Sequence, residues 1–150
     1  MVEASPQCFV GLQNNYRDKP NVKCVCCAIG VQSGLTLFYD SGGAVASLHK
    51  NHMEKWAADQ KDFMEIYVPL IRPCDLLKTL PGPYQFISLD IEGSSIDVLA
   101  LMPNLQELGV ELMCVEVTGV DETERVHHIM GNWGYVPWQS TEENWLYRRM

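Results

Sequence analysis

The sequence predicts an α/β fold built on one mainly parallel β-sheet. Segments with strand character and segments with helix character alternate along its 150 residues. Three predicted strands, residues 22–29, 84–90 and 110–117, are almost continuously apolar, which indicates burial on both faces of the sheet. Two final strands, 135–139 and 144–148, flank a polar turn and predict an antiparallel hairpin at one edge of the sheet.

The remaining elements are predicted from helix starts and from the spacing of apolar residues. A helix over residues 6–17 is expected because Ser5 can serve as its N-cap and Pro6 suits its first position. Asp121 and Glu124 have the spacing of a capping box and predict the start of another helix. The other expected elements are strands 34–39 and 63–70, helices 73–80, 94–102 and 121–133, and a short helix within 51–60.

Composition limits the number of domains and the kinds of partner. A chain of 150 residues that is 47% hydrophobic is long enough for one domain with a sizeable core. The formal net charge is −8 and Lys and Arg form no extended run, which argues against a nucleic-acid binder and an anionic membrane surface. No secretory signal and no apolar stretch of about 20 residues is visible, so we expect a cytoplasmic protein without a membrane span.

The six cysteines predict no metal site and no disulfide framework. Cys24, Cys26 and Cys27 lie together in an apolar predicted strand, and the other three are scattered. Structural zinc sites usually need two close pairs of ligands, and this chain has one cluster. We therefore expect buried free thiols that behave as small apolar side chains, and we assign no metal ligands.

The carboxyl end of the predicted strand 84–90 carries the strongest chemical signal. Asp90 ends this strand, Glu92 follows on the same side, and Gly93 permits a tight turn into the next helix. Parallel sheets bind ligands at the carboxyl ends of their strands. Two carboxylates this close repel each other, which suggests a cationic ligand, a donor-rich substrate or a metal. The alternative is that Asp90 only caps the next helix, together with Ser94.

Three further positions are candidates, each with a structural alternative. Glu116 lies at the end of another apolar strand and is either a second site acid or a partner of an arginine or a backbone donor. Glu3 lies just before a helix, where a carboxylate can accept hydrogen bonds from a ribose diol, or it is a surface acid. His49 and His52 share a polar loop, where either could act as a general base or be solvated; His49 is our catalytic candidate.

Taken together, these segments resemble the FkbM-type methyltransferase family. The central resemblance is the segment FISLDIEG at 86–93, followed by an apolar helix. Downstream, the similar segments are VEV at 115–117, a helix, GY at 134–135 and NWLY at 144–147. Upstream, EASP at 3–6 is similar to the end of the family's second strand, and the following helix and strand are matched at Asn14, Asn15, Val22, Ala28, Ile29 and Gly34.

The resemblance implies a Rossmann-like class I methyltransferase fold, present here as one partial domain over residues 1–150. It implies S-adenosylmethionine as the methyl donor and a hydroxyl oxygen of a small metabolite, sugar or lipid as the acceptor. By position, Glu3 would bind the ribose hydroxyls of the cofactor and Ala28 would lie near its adenine. Asp90 and Glu92 would lie beside the sulfonium and the acceptor.

The resemblance also implies a first strand and a glycine-rich loop before Glu3, and this sequence contains neither. We therefore expect an N-terminally truncated domain with a gap in its sheet. One alternative is a non-catalytic interaction module, in which a strand of a partner or of a second copy fills the gap. A weaker alternative is a metal-dependent hydrolase that uses Asp90, Glu92 and a histidine.

Overall fold

The fold of the chain is mixed α/β, with four helices and three sheets in the part that the computed structural model describes. The described residues are 1–43, 45–51, 54, 62–117 and 119–150. None of the helices in these ranges could span a bilayer. The chain divides into two compact units, Met1–Ile71 (unit 1) and Arg72–Met150 (unit 2). The single domain over 1–150 stays a prediction, and the short helix expected within 51–60 falls largely outside the described residues.

Unit 1 is built from short strands around a small apolar core. Its elements are β1 (Val2–Glu3), α1 (Pro6–Tyr16), β2 (Val25–Cys26), β3 (Ala28–Ile29), β4 (Gly34–Asp40) and β5 (Met64–Ile71). β1 pairs with β2 in parallel. β5 lies between β3, which is parallel to it, and β4, which is antiparallel. Among the described residues, its core contains Ala28, Phe38, Val68 and Leu70.

The start of α1 is confirmed, whereas the long strand predicted after it is wrong. The Ser5 side chain caps the helix by accepting a hydrogen bond from the Cys8 backbone N–H at 3.3 Å. The predicted strand 22–29 is divided at Cys27, because β2 pairs with β1 whereas β3 joins β5 in another sheet. A continuous apolar run fits either partner equally well, so the sequence carries no mark of this change of sheet.

Unit 2, in the residues that the structure describes, contains one four-stranded sheet and three helices. Its elements are α2 (Pro73–Thr79), β6 (Phe86–Leu89), α3 (Ser95–Leu99), β7 (Leu112–Glu116), α4 (Val120–Asn132), β8 (Tyr135–Ser140) and β9 (Asn144–Arg149). The strand order is β6-β7-β9-β8, in which β6 and β7 are parallel and the other pairs are antiparallel. The predicted C-terminal antiparallel hairpin is therefore confirmed, with β8 at the edge of the sheet.

The two faces of this sheet differ in burial. On one face Met113 and Val115 of β7 and Tyr147 of β9 are fully buried. Helix α4 lies on this face, where His127 Nδ1 is 2.7 Å from the Tyr147 hydroxyl oxygen. On the other face Phe86 is 53% exposed and Leu112 is half-buried. Burial of strands 84–90 and 110–117 on both faces is therefore wrong, because apolar content alone does not say which face a second layer covers.

Helix α4 begins differently from the prediction. Its N-cap is Gly119, with a φ of 89°, and no side chain makes a capping hydrogen bond. Asp121 lies in the first turn instead of at the cap, so the predicted capping box with Glu124 is wrong. Asp121 still has a favourable place there, because a carboxylate in the first turn opposes the positive end of the helix dipole.

Candidate functional site

Two acidic residues lie side by side because two parallel strands of unit 2 end together. Leu89 of β6 pairs with Val115 of β7 in parallel register. The next residue in each strand direction is an acid, Asp90 after β6 and Glu116 at the end of β7. Both carboxylates therefore project at the carboxyl edge of the sheet, which is where α/β proteins bind ligands.

A third carboxylate is brought to this edge by the turn that follows Asp90. Glu92 has a φ of +50° and Gly93 a φ of 94°, so the chain turns through two left-handed residues. The backbone N–H of Glu92 donates a hydrogen bond of 3.2 Å to Glu116 Oε2. This bond ties the turn to the end of β7 and holds Glu92 at the same edge.

Asp90, Glu92 and Glu116 form one group, the carboxylate cluster. One oxygen from each of the three side chains lies within 4.8 Å of the others. At an effective dielectric constant of about 20, two unit charges at this separation repel by about 3 kcal/mol. The described structure therefore concentrates negative charge where a cation or a proton would relieve it.

In this environment the pKa of the Glu116 carboxyl is raised to about 7. Burial is the largest cause, followed by the negative charges of Asp90 and Glu92 and by a hydrogen bond between the Glu116 and Asp90 side chains. The hydrogen bond from the Glu92 backbone opposes this rise in pKa because it stabilises the charged form. Near neutral pH, Glu116 is therefore partly protonated.

A small pocket shares Glu116 with the cluster and is also lined by Ser95, whose hydroxyl is buried. The pocket has a volume of about 70 Å³, and Gly93, Ser95 and Glu116 are among its lining residues. Ser95 is only 5% exposed, and its Oγ has no hydrogen-bond partner. A buried polar atom left without a partner costs about 1–3 kcal/mol, so a ligand or water in the pocket would recover that free energy.

Replacing Glu92 by glycine is expected to raise the free energy of unfolding, in contrast to the usual effect of a glycine substitution. Glu92→Gly removes both the left-handed strain of a side-chain-bearing residue and one charge of the cluster. Glu92→Gln removes the charge alone and is the matched control. Urea denaturation should place Glu92→Gly about 1 kcal/mol above Glu92→Gln. A glycine variant less stable than the glutamine variant would contradict the described turn.

The residues predicted to form one site lie in both units. Asp90 and Glu92 belong to unit 2, whereas Glu3, Ala28 and His49 belong to unit 1. The Glu3 carboxylate accepts a hydrogen bond of 2.8 Å from the Ser5 backbone N–H at the start of α1. The Ala28 side chain is 4% exposed and forms part of the unit 1 core.

Of the two loop histidines predicted as candidate bases, the structure describes only His49. His49 is exposed, and its backbone N–H donates to Ser47 Oγ at 3.1 Å. His52 lies outside the described residues.

The N-cap of α3 is Ser94, whose side chain makes no capping hydrogen bond. The alternative in which Asp90 and Ser94 jointly cap this helix is therefore wrong, and Asp90 takes part in the cluster instead.

The cysteines near these residues are protonated thiols. Burial, followed by the charge of Cys26, raises the pKa of Cys27 to about 11. Burial likewise raises the pKa of Cys114; a hydrogen bond with the Ser88 side chain opposes this rise, and the nearby Asp90 charge adds to it. The Cys114 thiol donates a hydrogen bond of 3.6 Å to Asn144 Oδ1. All six cysteines are free thiols, and those with raised pKa values are poor metal ligands at neutral pH.

Sequence reasoning recognised the acids separately but missed their association. Glu116 is predicted as a candidate second acid at the end of an apolar strand, without the prediction that its side chain meets those of Asp90 and Glu92. Equal strand-end position in two neighbouring parallel strands was the signal that could have joined them. Ser95 was missed because nothing in its local sequence distinguishes a buried serine from an exposed one at the start of a helix.

Comparison with known proteins identifies no relative of this chain. No protein family, curated protein or solved structure matches the chain. The resemblance to FkbM-type methyltransferases therefore stays a prediction. The carboxylate cluster and the pocket lined by Ser95 are inferred from the structure of this chain alone.

Proposed function

We propose that this chain is an S-adenosylmethionine-dependent methyltransferase with a Rossmann-like class I fold. Its acceptor would be a hydroxyl oxygen of a small metabolite, sugar or lipid. The observation that carries the proposal is the carboxylate cluster at the carboxyl ends of the parallel strands β6 and β7. This is the edge at which α/β sheets bind ligands, and the sequence there resembles the central motif of the FkbM-type family.

The residues expected to hold the cofactor fit it unequally. Asp90 is exposed and lies in a negatively charged cluster, which suits a cationic sulfonium group. Glu3 is half-buried and presents its carboxylate at the end of β1, which suits a ribose diol. Ala28 fits less well, because its side chain is buried in the core and could offer adenine only its backbone.

The chemistry assigned to the cluster is orientation and proton removal. The cofactor, when bound, supplies a methyl group on a positively charged sulfur. Methyl transfer is an in-line displacement that depends mainly on positioning the reacting atoms. One of Asp90 and Glu92 would accept a hydrogen bond from the acceptor hydroxyl, hold its oxygen in line and take its proton, while the other would lie beside the sulfonium. The charge of the same carboxylates favours the cationic donor over its neutral product.

Calorimetry with two ligands tests this proposal. S-adenosylmethionine carries the positive charge, whereas S-adenosylhomocysteine has the same ribose and adenine without it. Asp90→Asn should weaken binding of the charged ligand about tenfold, corresponding to about 1.4 kcal/mol, and leave the neutral ligand nearly unchanged. Glu3→Gln should weaken both ligands. Glu111→Gln, at an exposed acid just before β7 and outside the cluster and its pocket, is the control and should change neither.

The outcome that rejects the cofactor assignment is simple. The assignment is wrong if neither ligand binds the wild-type chain at millimolar concentration. If both ligands bind and Asp90→Asn weakens them equally, the cofactor assignment stands and the role of Asp90 beside the sulfonium is wrong.

A second candidate function, a non-catalytic interaction module, is favoured by the edge of the unit 2 sheet. Among the described residues β6 pairs with β7 alone, and Phe86 on it is 53% exposed. Such an edge can accept a strand from a partner or from a second copy of the chain. Sedimentation velocity should then reveal self-association that Phe86→Lys abolishes. A monomer at every concentration would count against the second-copy form of this function.

A further inference from the structure

We propose that Asp90, Glu92, Glu116 and Ser95 form a binding site for a hydrated divalent cation of the Mg²⁺ and Mn²⁺ class. The site goes beyond methyl transfer and does not depend on it. Two independent observations carry the proposal. One is the carboxylate cluster itself, and the other is the buried Ser95 hydroxyl in the adjoining pocket.

The spacing of the carboxylate oxygens fits one ion. Oxygen ligands at about 2.1 Å from Mg²⁺ lie about 3 to 4 Å from one another around an octahedron. For Ca²⁺, at about 2.4 Å, the largest such separation is about 4.8 Å. The three cluster oxygens lie within 4.8 Å of one another, so one ion can contact all of them with small side-chain rotations.

The charge of the surroundings favours a divalent ion. The residues lining the pocket include the acids Asp97, Glu116 and Glu122 and one cation, Arg125. Because Glu116 also belongs to the cluster with Asp90 and Glu92, the site holds more negative charge than Arg125 can balance. The end of β6, the turn after it and the end of β7 place three acids together, so their carboxylates repel one another. A divalent ion would relieve this repulsion.

Ser95 is the observation that distinguishes this cluster from a group of surface acids. Its Oγ is buried and has no partner, and it lines the same pocket as Glu116. A serine hydroxyl can donate to a carboxylate, accept from a metal-bound water or contact the ion directly. A hydrated ion in the pocket would give this atom the hydrogen bond that the protein does not supply.

The ligand atoms indicate a hard cation. All four side chains offer oxygen, which suits Mg²⁺, Mn²⁺ and Ca²⁺. Cys114 is the nearby soft donor, but burial keeps its thiol protonated and it donates to Asn144. Zinc is therefore not the expected ion. Where the proposed methyl transfer also holds, a cation here would contact the acceptor oxygen and favour its deprotonation.

Manganese is the probe for the test, because its electron paramagnetic resonance signal decreases when the ion binds. Titration of the full chain at pH 7.5 should reveal one site of submillimolar affinity from which excess Mg²⁺ displaces the probe. Asp90→Asn and Glu116→Gln should each weaken binding at least about tenfold. Ser95→Ala should weaken it about threefold or more, as expected for a group that orients a ligand or its water.

The control is Glu111→Gln, which removes an exposed acid just before β7 that belongs neither to the cluster nor to the pocket lining. It should bind manganese within about twofold of the wild-type chain. The proposal is overturned if the wild-type chain binds no manganese at 1 mM or if the cluster variants bind like the wild-type chain. An equal loss in Glu111→Gln would also overturn it, because that result indicates diffuse charge rather than coordination.

The experiments distinguish failure of the cation site from a variant that does not fold and from failure of the methyltransferase proposal. Glu116→Gln removes repulsion, so it should fold at least as stably as the wild-type chain, and circular dichroism checks this. Manganese binding without binding of either adenosyl ligand would support the cation site and reject the proposed cofactor. Binding of the adenosyl ligands without manganese would do the reverse.

Discussion

Raising the pH from about 5 to 8 without divalent cations is expected to lower the free energy of unfolding by up to about 3 kcal/mol. The pKa of Glu116 is about 7 in the folded chain, against an ordinary value of 4.5. The folded state therefore binds the Glu116 proton more tightly than the unfolded state. The stabilisation is fully present below about pH 4.5 and is lost as the pH rises through 7. Solvent at this half-buried side chain makes the full figure an upper limit.

Urea denaturation across this pH range checks the prediction. Glu116→Gln should remove this contribution, so the difference in stability between variant and wild type should grow as the pH rises. Asp97→Asn should keep the wild-type pH dependence, because Asp97 is not among the groups that act on Glu116. Identical pH profiles for the wild type and Glu116→Gln would mean that the three carboxylates do not share one site.

Truncating Met113 is expected to destabilise the protein far more than truncating its sequence neighbour Leu112. Met113 is fully buried on the face of β7 covered by α4, opposite Tyr147 of β9. Met113→Ala should cost about 2–5 kcal/mol through lost apolar contact and the cavity left behind. Leu112 lies on the other face and is half-buried, so Leu112→Ala should cost about 1 kcal/mol.

The pair of variants tests which face of the unit 2 sheet forms the core. Both substitutions remove a side chain of similar size from the same strand, so strand propensity changes little between them. Denaturation by guanidinium chloride at fixed pH gives both losses in stability on one scale. Equal losses would contradict the one-sided burial and would restore the expectation, drawn from the apolar sequence, that both faces are covered.

Local patterns predicted most of the elements of unit 2. The strand ending before Asp90, the helix after Gly93 and the C-terminal hairpin all follow from apolar runs and turn residues within a short window. The cap at Ser5 is likewise a local signal and is confirmed. The capping box at Asp121 failed because the chain enters α4 through Gly119, whose φ of 89° places the cap two residues earlier.

Features that depend on distant contacts were not predictable in the same way. The division of strand 22–29 at Cys27 depends on which strands lie beside it, and an apolar run does not specify its partners. The meeting of Asp90 with Glu116 depends on the pairing of Leu89 with Val115, which are 26 residues apart in sequence. The left-handed backbone conformation of Glu92 was also not predictable from the sequence. Glutamate rarely adopts a positive φ, and no residue next to Glu92 indicates it.

The central claim is that Asp90, Glu92 and Glu116 share one electrostatic site. Its most direct test is the nuclear magnetic resonance titration of the Glu116 side-chain carboxyl carbon in metal-free protein. We predict a midpoint near pH 7 that moves toward the ordinary glutamate value of 4.5 in Asp90→Asn. A midpoint near 4.5 in the wild-type chain, unchanged by Asp90→Asn, would contradict the claim.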